Sequence, residues 1–290
     1  MRLCIAGAGP AGMLAALIGQ AAGWRILWQG DGRDSPQAAH LHLVRDVIGP
    51  TLTSIDADLG ARIAAATDPA HDWRDAGGKT GRAPRLTREG LTAALAAACA
   101  ARGLAALTTP LPAPGDGAEL WIDATGGARA LARRFEAATL GSLTLDDIGT
   151  GRLWRSEQWH DRMPSAPYTQ VVPGRAYLES GPDGTRRTGL DGATEALAGP
   201  DKTPVVVSRM VAPPVRLARW KGAAGAPALI LFGDARLQTP PDMGFGLLAV
   251  AQQAVILHEA LTSRSDPERP LAGWAETVWV NAGMQLAFAC

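Results

Sequence analysis

Residues 4–15 read CIAGAGPAGMLA, and this stretch decides the fold. Gly7, Gly9 and Gly12 stand in the spacing G-x-G-x-x-G directly after a short, mostly apolar run, Arg2 to Ala6. Met13 to Ala22 then carries the small and apolar residues of a packed helix that stops at Gly23, and Arg25 to Trp28 reads as a second strand. Strand, glycine turn, helix and strand within about thirty residues predict a βαβ unit, the context in which this spacing holds a dinucleotide. In such a unit Gly7 permits the tight turn, Gly9 lets a pyrophosphate approach the backbone, and Gly12 lets the helix lie close on the strand. Pro10 and Ala11 complete the turn, and the free N–H groups of the helix start face the phosphates. An acid after the second strand ordinarily takes a ribose hydroxyl; here Trp28-Gln29-Gly30-Asp31 offers either Gln29 in its place or Asp31 arriving late.

The rest of the composition narrows the class. With 290 residues and 47% hydrophobic content the chain can bury a sizeable core. Basic and acidic residues both total 28, so no broad positive field exists to recruit nucleic acid or an anionic membrane. The three cysteines, Cys4, Cys99 and Cys290, are too scattered for a disulfide framework or a zinc site, and no metal is expected. The glycine motif interrupts the apolar N-terminus, and no stretch reaches the roughly 18–20 apolar residues of a span. A soluble, cytoplasmic protein is the expectation.

Working outward, SPQAAHLHLV at 35–44 reads as a loop leading into a helix that continues to about Gly49, and Pro69 to Pro84 reads as loop. Arg88 to Arg102 is an alanine-rich helix ended by Gly103; Leu104 to Thr108 is a weak strand, and Glu119 to Asp123 a buried one that closes on DATGG. From about residue 145 helical periodicity disappears. Short runs such as Tyr168 to Val172, Ala176 to Glu179, Arg186 to Leu190 and Val205 to Val211 alternate with Pro/Gly turns, as in an antiparallel sheet. The α/β pattern returns with a strand at Ala228 to Phe232 and a helix from Gly246 to Leu261. The expected fold class is α/β: a discontinuous Rossmann-like domain with a parallel sheet (1–144 and 225–265), an inserted, mostly antiparallel substrate sheet (145–224), and a C-terminal helical segment (266–290).

Three motifs, each after a buried strand, carry a resemblance: GAGPAG at 7–12, DATGG at 123–127, and GDARLQTPPDMGFGLLAVAQQA at 233–254. Their order resembles the FAD-dependent monooxygenase superfamily with the p-hydroxybenzoate hydroxylase fold, over most of the chain. The resemblance implies that the first motif takes the ADP half of FAD. Asp123 and Gly126 would support the cofactor domain, and Gly233, Asp234, Pro241, Gly244, Phe245, Gly246 and Leu247 would line the ribityl and flavin side. Arg88, with Arg85 before the same helix, sits where the family often carries an arginine that reaches the flavin. Bottom-up physics agrees at the last motif: Asp234 at a strand end can accept from a ribityl hydroxyl, and a helix pointing its N-terminus at a reduced flavin stabilises its charge.

The implied chemistry is monooxygenation of a small aromatic or apolar metabolite, with oxygen carried at the flavin C4a and electrons from NADH or NADPH. Since the cofactor does the hard step, no catalytic side chain is guaranteed; the candidates beside the flavin are His40, His42 and Asp242. Arg129, Arg133 and Arg134 either attract a nicotinamide phosphate or form a solvated face, and Trp154, Trp159 and Trp220 either wall a substrate or pack a core. The chain departs from the family at Leu237 and Leu248, where a His and an Asn are common, at Ala39, and in the missing ribose acid. Those departures keep open a non-oxygenase of the same superfamily (cyclase, reductase or dehydrogenase) and a catalytically degenerate FAD-binding subunit. The tryptophan motif WxWxIP of the related halogenases is absent. Expected partners are the substrate and molecular oxygen, with a homodimer or a separate flavin reductase left open.

Overall fold

The computed structural model describes residues 1–30, 47–75, 77–114, 120–161, 168–172, 176–181, 184–194, 197–240 and 245–288. The chain opens with β1 (Arg2–Ala6), α1 (Pro10–Ala21) and β2 (Arg25–Gln29), the expected βαβ unit. Next come α2 (Ile48–Thr53), α3 (Ala57–Ala65), β3 (Asp68–Asp75), β4 (Thr80–Arg85) and α4 (Arg88–Ala101). The starts of α3 and α4 are set by side-chain caps: Asp56 accepts from Leu59 N–H at 3.0 Å, and Thr87 from Gly90 N–H at 2.9 Å. Then follow β5 (Leu120–Asp123), α5 (Ala130–Ala137), β6 (Gly141–Ile148), β7 (Arg152–Trp159), β8 (Tyr168–Val172), β9 (Ala176–Gly181) and β10 (Gly184–Leu190). The chain closes with β11 (Val206–Ala212), β12 (Val215–Gly222), β13 (Ala228–Leu231), β14 (Leu237–Gln238), α6 (Gly246–Ser263) and α7 (Glu268–Phe288).

A parallel sheet in the order β13-β5-β1-β2 forms the centre. Its middle strands β1 and β5 are buried on both faces, which is why they read as continuous apolar runs. On one face Leu3, Ile5, Ile122 and Ile230 meet α1, α4 and α6 in the main core. On the other, Cys4, Trp121, Leu229 and Leu231 lie under α5 and a small antiparallel sheet, β14-β12-β6. Phe135 of α5 sits edge-on between Trp121 and Trp220, with ring centroids 5.4 and 6.2 Å away. Trp220 is therefore a packing residue.

The second large sheet has seven strands, β11-β7-β10-β9-β8-β3-β4, antiparallel except where β3 runs parallel to β8. Two of its strands come from 68–85, the stretch read as loop from sequence. There HDWRD and TGRAPR hold one large apolar residue, Trp73, between them, so hydrophobic contrast is weak and the strands are specified by pairing with the sheet. Leu104 to Thr108 is reduced to a single bridge between Gln29 and Leu107. Among the described residues no helix is long and apolar enough to cross a membrane.

The faces of this sheet differ. On one, Glu157 is buried between Arg155 and Arg187, Arg187 stacks 5.2 Å over Trp159, and Trp159 Nε1 donates to Lys202 O at 2.6 Å. Leu197 closes this face over Ala176 and Leu178. The other face is tied to the start of α4 by the Arg186–Glu89 ion pair, while Arg85–Glu179 links β4 to β9 within the sheet, so it forms a roof over that end of the parallel sheet. Trp154 lies fully buried against Tyr177 and Ala212.

Candidate active site

The three sequence motifs meet at the C-terminal edge of the parallel sheet, and small residues are what let them meet. At Gly7 (φ 119°) a Cβ would stand 2.2 Å from Ala124 O, so the first glycine turn rests on the DATGG loop. At Gly233 a Cβ would stand 2.8 Å from Ala11 Cβ, which brings the third motif onto the first turn of α1. At Gly12 a Cβ would lie 1.8 Å from Gly7 O, the same carbonyl that accepts from Trp28 Nε1 at 2.7 Å. Gly9 differs from these three: it is exposed, and a Cβ there would meet nothing within 4 Å. The first turn of α1 has no side-chain cap among the described residues, so its N–H groups are directed at the open space beside Gly9.

Arg129 joins the second and third motifs. Its guanidinium is fully buried and donates to Ala235 O at 2.9 Å, Gly127 O at 2.7 Å and, more weakly, Asp234 O at 3.4 Å. Burial lowers its pKa to about 10. This corrects both sequence readings of Arg129: it is a clamp between two loops, neither a phosphate lure nor a solvated charge. Arg236 does similar work one turn on, donating to Leu231 O at 2.9 Å and pairing with Glu268 of α7.

Asp234 lies inside this frame, largely buried, with its carboxylate ringed by protein. Burial pushes its pKa up to about 6, while Arg88 and Arg129 pull the other way. Arg88, at the first position of α4, is lowered by burial and feels the charge of Asp234 in return. Gly246 begins the 18-residue α6, which has no side-chain cap among the described residues. A Cβ on Gly246 would stand 3.7 Å from Thr239 Oγ1 and 3.9 Å from Asp234 Oδ1. The Thr239 hydroxyl is buried without a described hydrogen-bond partner, and no described donor bonds the Asp234 carboxylate. Two polar side chains and a helix start thus converge without a hydrogen-bond partner among the described residues.

Other expected residues are placed differently. Asp123 is saturated within its own loop: Oδ1 accepts from Thr125 N–H (3.0 Å) and Oγ1 (2.6 Å), and Oδ2 accepts from Ala132 N–H (2.8 Å). Gly126 takes φ 67° in the same turn, with open space where its Cβ would be. The side-chain carbonyl of Gln29 accepts from Leu111 N–H at 3.3 Å, and no described acceptor bonds its amide hydrogens. Phe245 and Leu247 flank Gly246 and are half-buried. Asp31, Ala39, His40, His42, Pro241, Asp242 and Gly244 lie outside the described residues. Leu237 and Leu248 are buried core residues, which accounts for the apolar side chains at those departures.

Sequence reasoning missed Thr239, although it lies inside the third motif one residue before Pro240. It also missed a polar chain on the roof. Asp68 Oδ2 meets His71 Nδ1 at 3.2 Å, His71 Nε2 meets Thr169 Oγ1 at 2.9 Å, and Thr169 lies 3.5 Å from Glu179, which pairs with Arg85. Its members come from β3, β8, β9 and β4, so no local spacing announces it.

A parallel sheet whose connections diverge on either side of adjacent strands β1 and β5 defines the doubly wound class, which binds ligands outside the carboxyl ends of its strands. Among solved structures the chain resembles the flavin-dependent brominase Bmp2 (TM-score 0.63, 16% identity, 99% of this chain and 85% of that one). It also resembles the anhydrotetracycline hydroxylase OxyS from Streptomyces rimosus (0.64, 18%, 97% and 67%). A third likeness is to p-nitrophenol 4-monooxygenase from Pseudomonas putida (0.62, 16%, 90% and 79%). The chain has the fold shared by these flavin-dependent monooxygenases and halogenases. No protein-family model and no curated protein matches the sequence.

Proposed function

We propose that the chain is an FAD-dependent monooxygenase acting on a small aromatic or apolar molecule. One observation carries the reading: Asp234, Thr239 and the start of α6 converge without a hydrogen-bond partner or side-chain cap among the described residues, facing Arg88, beside a glycine turn that keeps open space at Gly9. That donor set fits FAD. Gly9, Ala11 and Gly12 would present N–H groups to the pyrophosphate, Gln29 would take the adenosine ribose, and Asp234 would accept from a ribityl hydroxyl. Thr239 and Gly246 would contact the pyrimidine side, and Arg88 would balance negative charge there.

When bound, FAD supplies the two-electron chemistry with dioxygen that leaves one oxygen atom on the substrate. The chain's own residues bind, orient and exclude water. The roof sheet covers the site, with its arginines Arg85 and Arg186 already neutralised by Glu179 and Glu89, so the substrate expected beneath it is uncharged. His71, bonded to Asp68 and to Thr169, would fix the orientation of the Thr169 hydroxyl on the roof. The division into a cofactor module (1–144 and 225–265), an inserted sheet and a C-terminal segment belongs to this reading, with β3 and β4 lent to the roof. Electrons would come from NADH or NADPH, directly or through a separate reductase.

The test is the visible spectrum of the purified chain titrated with FAD, then reduced anaerobically with NADH or NADPH and exposed to air. Binding at micromolar FAD, reduction by a nicotinamide and rapid reoxidation in air are expected. FAD that binds but does not react with oxygen would favour the cyclase, reductase or dehydrogenase reading. Failure to bind FAD overturns the proposal.

A further inference from the structure

The seven-stranded roof has two edges of opposite character. At one end β4 reads TGRAPR, with Pro84, an Arg82–Asp72 ion pair and Lys79 just before it. Proline and charge are the usual means by which an edge strand is kept from pairing with another chain. At the other end β11 continues from Val205 as VVVSRMVA, and among the described residues no strand pairs with its outer side. Val205, Val206, Val207 and Val211 are 51%, 47%, 49% and 69% exposed. Since Val206 and Val207 project to opposite faces, this edge is apolar on both. Its register with β7 runs unbroken from Val206–Gln158 to Ala212–Arg152, so no bulge turns it away.

We infer that β11 is a dimerisation edge, and that its occupant is β11 of a second copy of this chain, added antiparallel about a two-fold axis at Ser208. The strand is self-complementary in that arrangement. Val205 would face Val211, Val206 would face Met210, and Val207 would face Arg209, so the strand's single charge never meets its like. The formal net charge of zero sets no long-range repulsion between copies. The axis would place Ser208, the strand's one uncharged polar residue, opposite its own symmetry mate. The paired strands would form one continuous sheet across the dimer, far along the roof from Arg85 and Glu179 at the site.

Sedimentation of the full chain at micromolar concentration should give twice the chain mass. Val207→Lys places like charges opposite each other, the introduced lysine against Arg209 of the second copy, and with Val211→Lys should weaken the dimer roughly tenfold or more. Both positions are exposed, so the thermal melt should hold at dilutions where the parent is already monomeric. In a Cys290→Ser background, Ser208→Cys should cross-link to a covalent dimer under mild oxidation, whereas a cysteine placed at exposed Ala223 should not. A parent that sediments as a monomer overturns the inference and leaves the edge to a strand of another protein. A dimer that survives the lysine substitutions and does not cross-link through position 208 overturns it equally.

Discussion

Asp123 and Asp234 stand at or just past the C-terminal ends of neighbouring parallel strands, both in short glycine-bearing motifs that follow an apolar run. Their surroundings are opposite. Asp123 is sealed and accepts three hydrogen bonds from Thr125 and Ala132, which work against the burial that raises its pKa. Asp234 has no described hydrogen-bond donor and only the longer-range pull of Arg88 and Arg129, and burial lifts its pKa to about 6. A saturated carboxylate holds a fold together, whereas a buried one without a described donor is the better candidate to receive a ligand.

The largest effect that would break this contrast is at Asp123. Asp123→Ala removes the acceptor of two backbone N–H groups and one hydroxyl, and a loss of about 3–5 kcal/mol in urea denaturation is expected. If the variant instead kept its stability and lost only FAD binding, Asp123 would belong with Asp234.

Asp234→Asn should do the reverse: FAD affinity in a fluorescence titration should fall about 10–100-fold, with the fold intact. The sign of its pH dependence sharpens the test. The folded pKa is raised above the unfolded value, so the stability tied to the protonated carboxyl is present below pH 4 and lost as pH rises through about 6. Without FAD, the Asn variant should match the parent near pH 4 and melt higher than it above pH 7.

The glycines give the smallest and most local comparison. Gly9→Ala meets no protein atom and should leave the melting temperature unchanged while weakening FAD roughly tenfold. Gly7→Ala, with a Cβ driven to 2.2 Å from Ala124 O and a positive φ, should fail to fold before FAD can be asked about. Equal melts for the two variants would deny that Gly9 is kept for a ligand rather than for the turn.

The first βαβ unit, the strands β5 and β13 and the helix α6 were legible because both-face burial produces apolar runs and glycine marks the turns between them. The strands β3 and β4 were not, because Asp72, Arg74 and Arg82 face water and their pairing partners lie in β8 and in each other. Arg129 was misread for a related reason. Three arginines in six residues look like a solvated face until the tertiary fold encloses one of them among the carbonyls of two distant loops.

By itself, then, the sequence determined the α/β class, the three glycine-bearing motifs and their order, since these follow from local periodicity and from backbone conformations that only small residues adopt. Only the tertiary structure decided which Asp is saturated and which has no described donor, which arginine is a clamp, and which sheet edge is unpaired among the described residues. Each of those depends on hydrogen-bond partners and burial contributed by segments a hundred residues apart, as Arg129 and Ala235 are, and no local pattern encodes them.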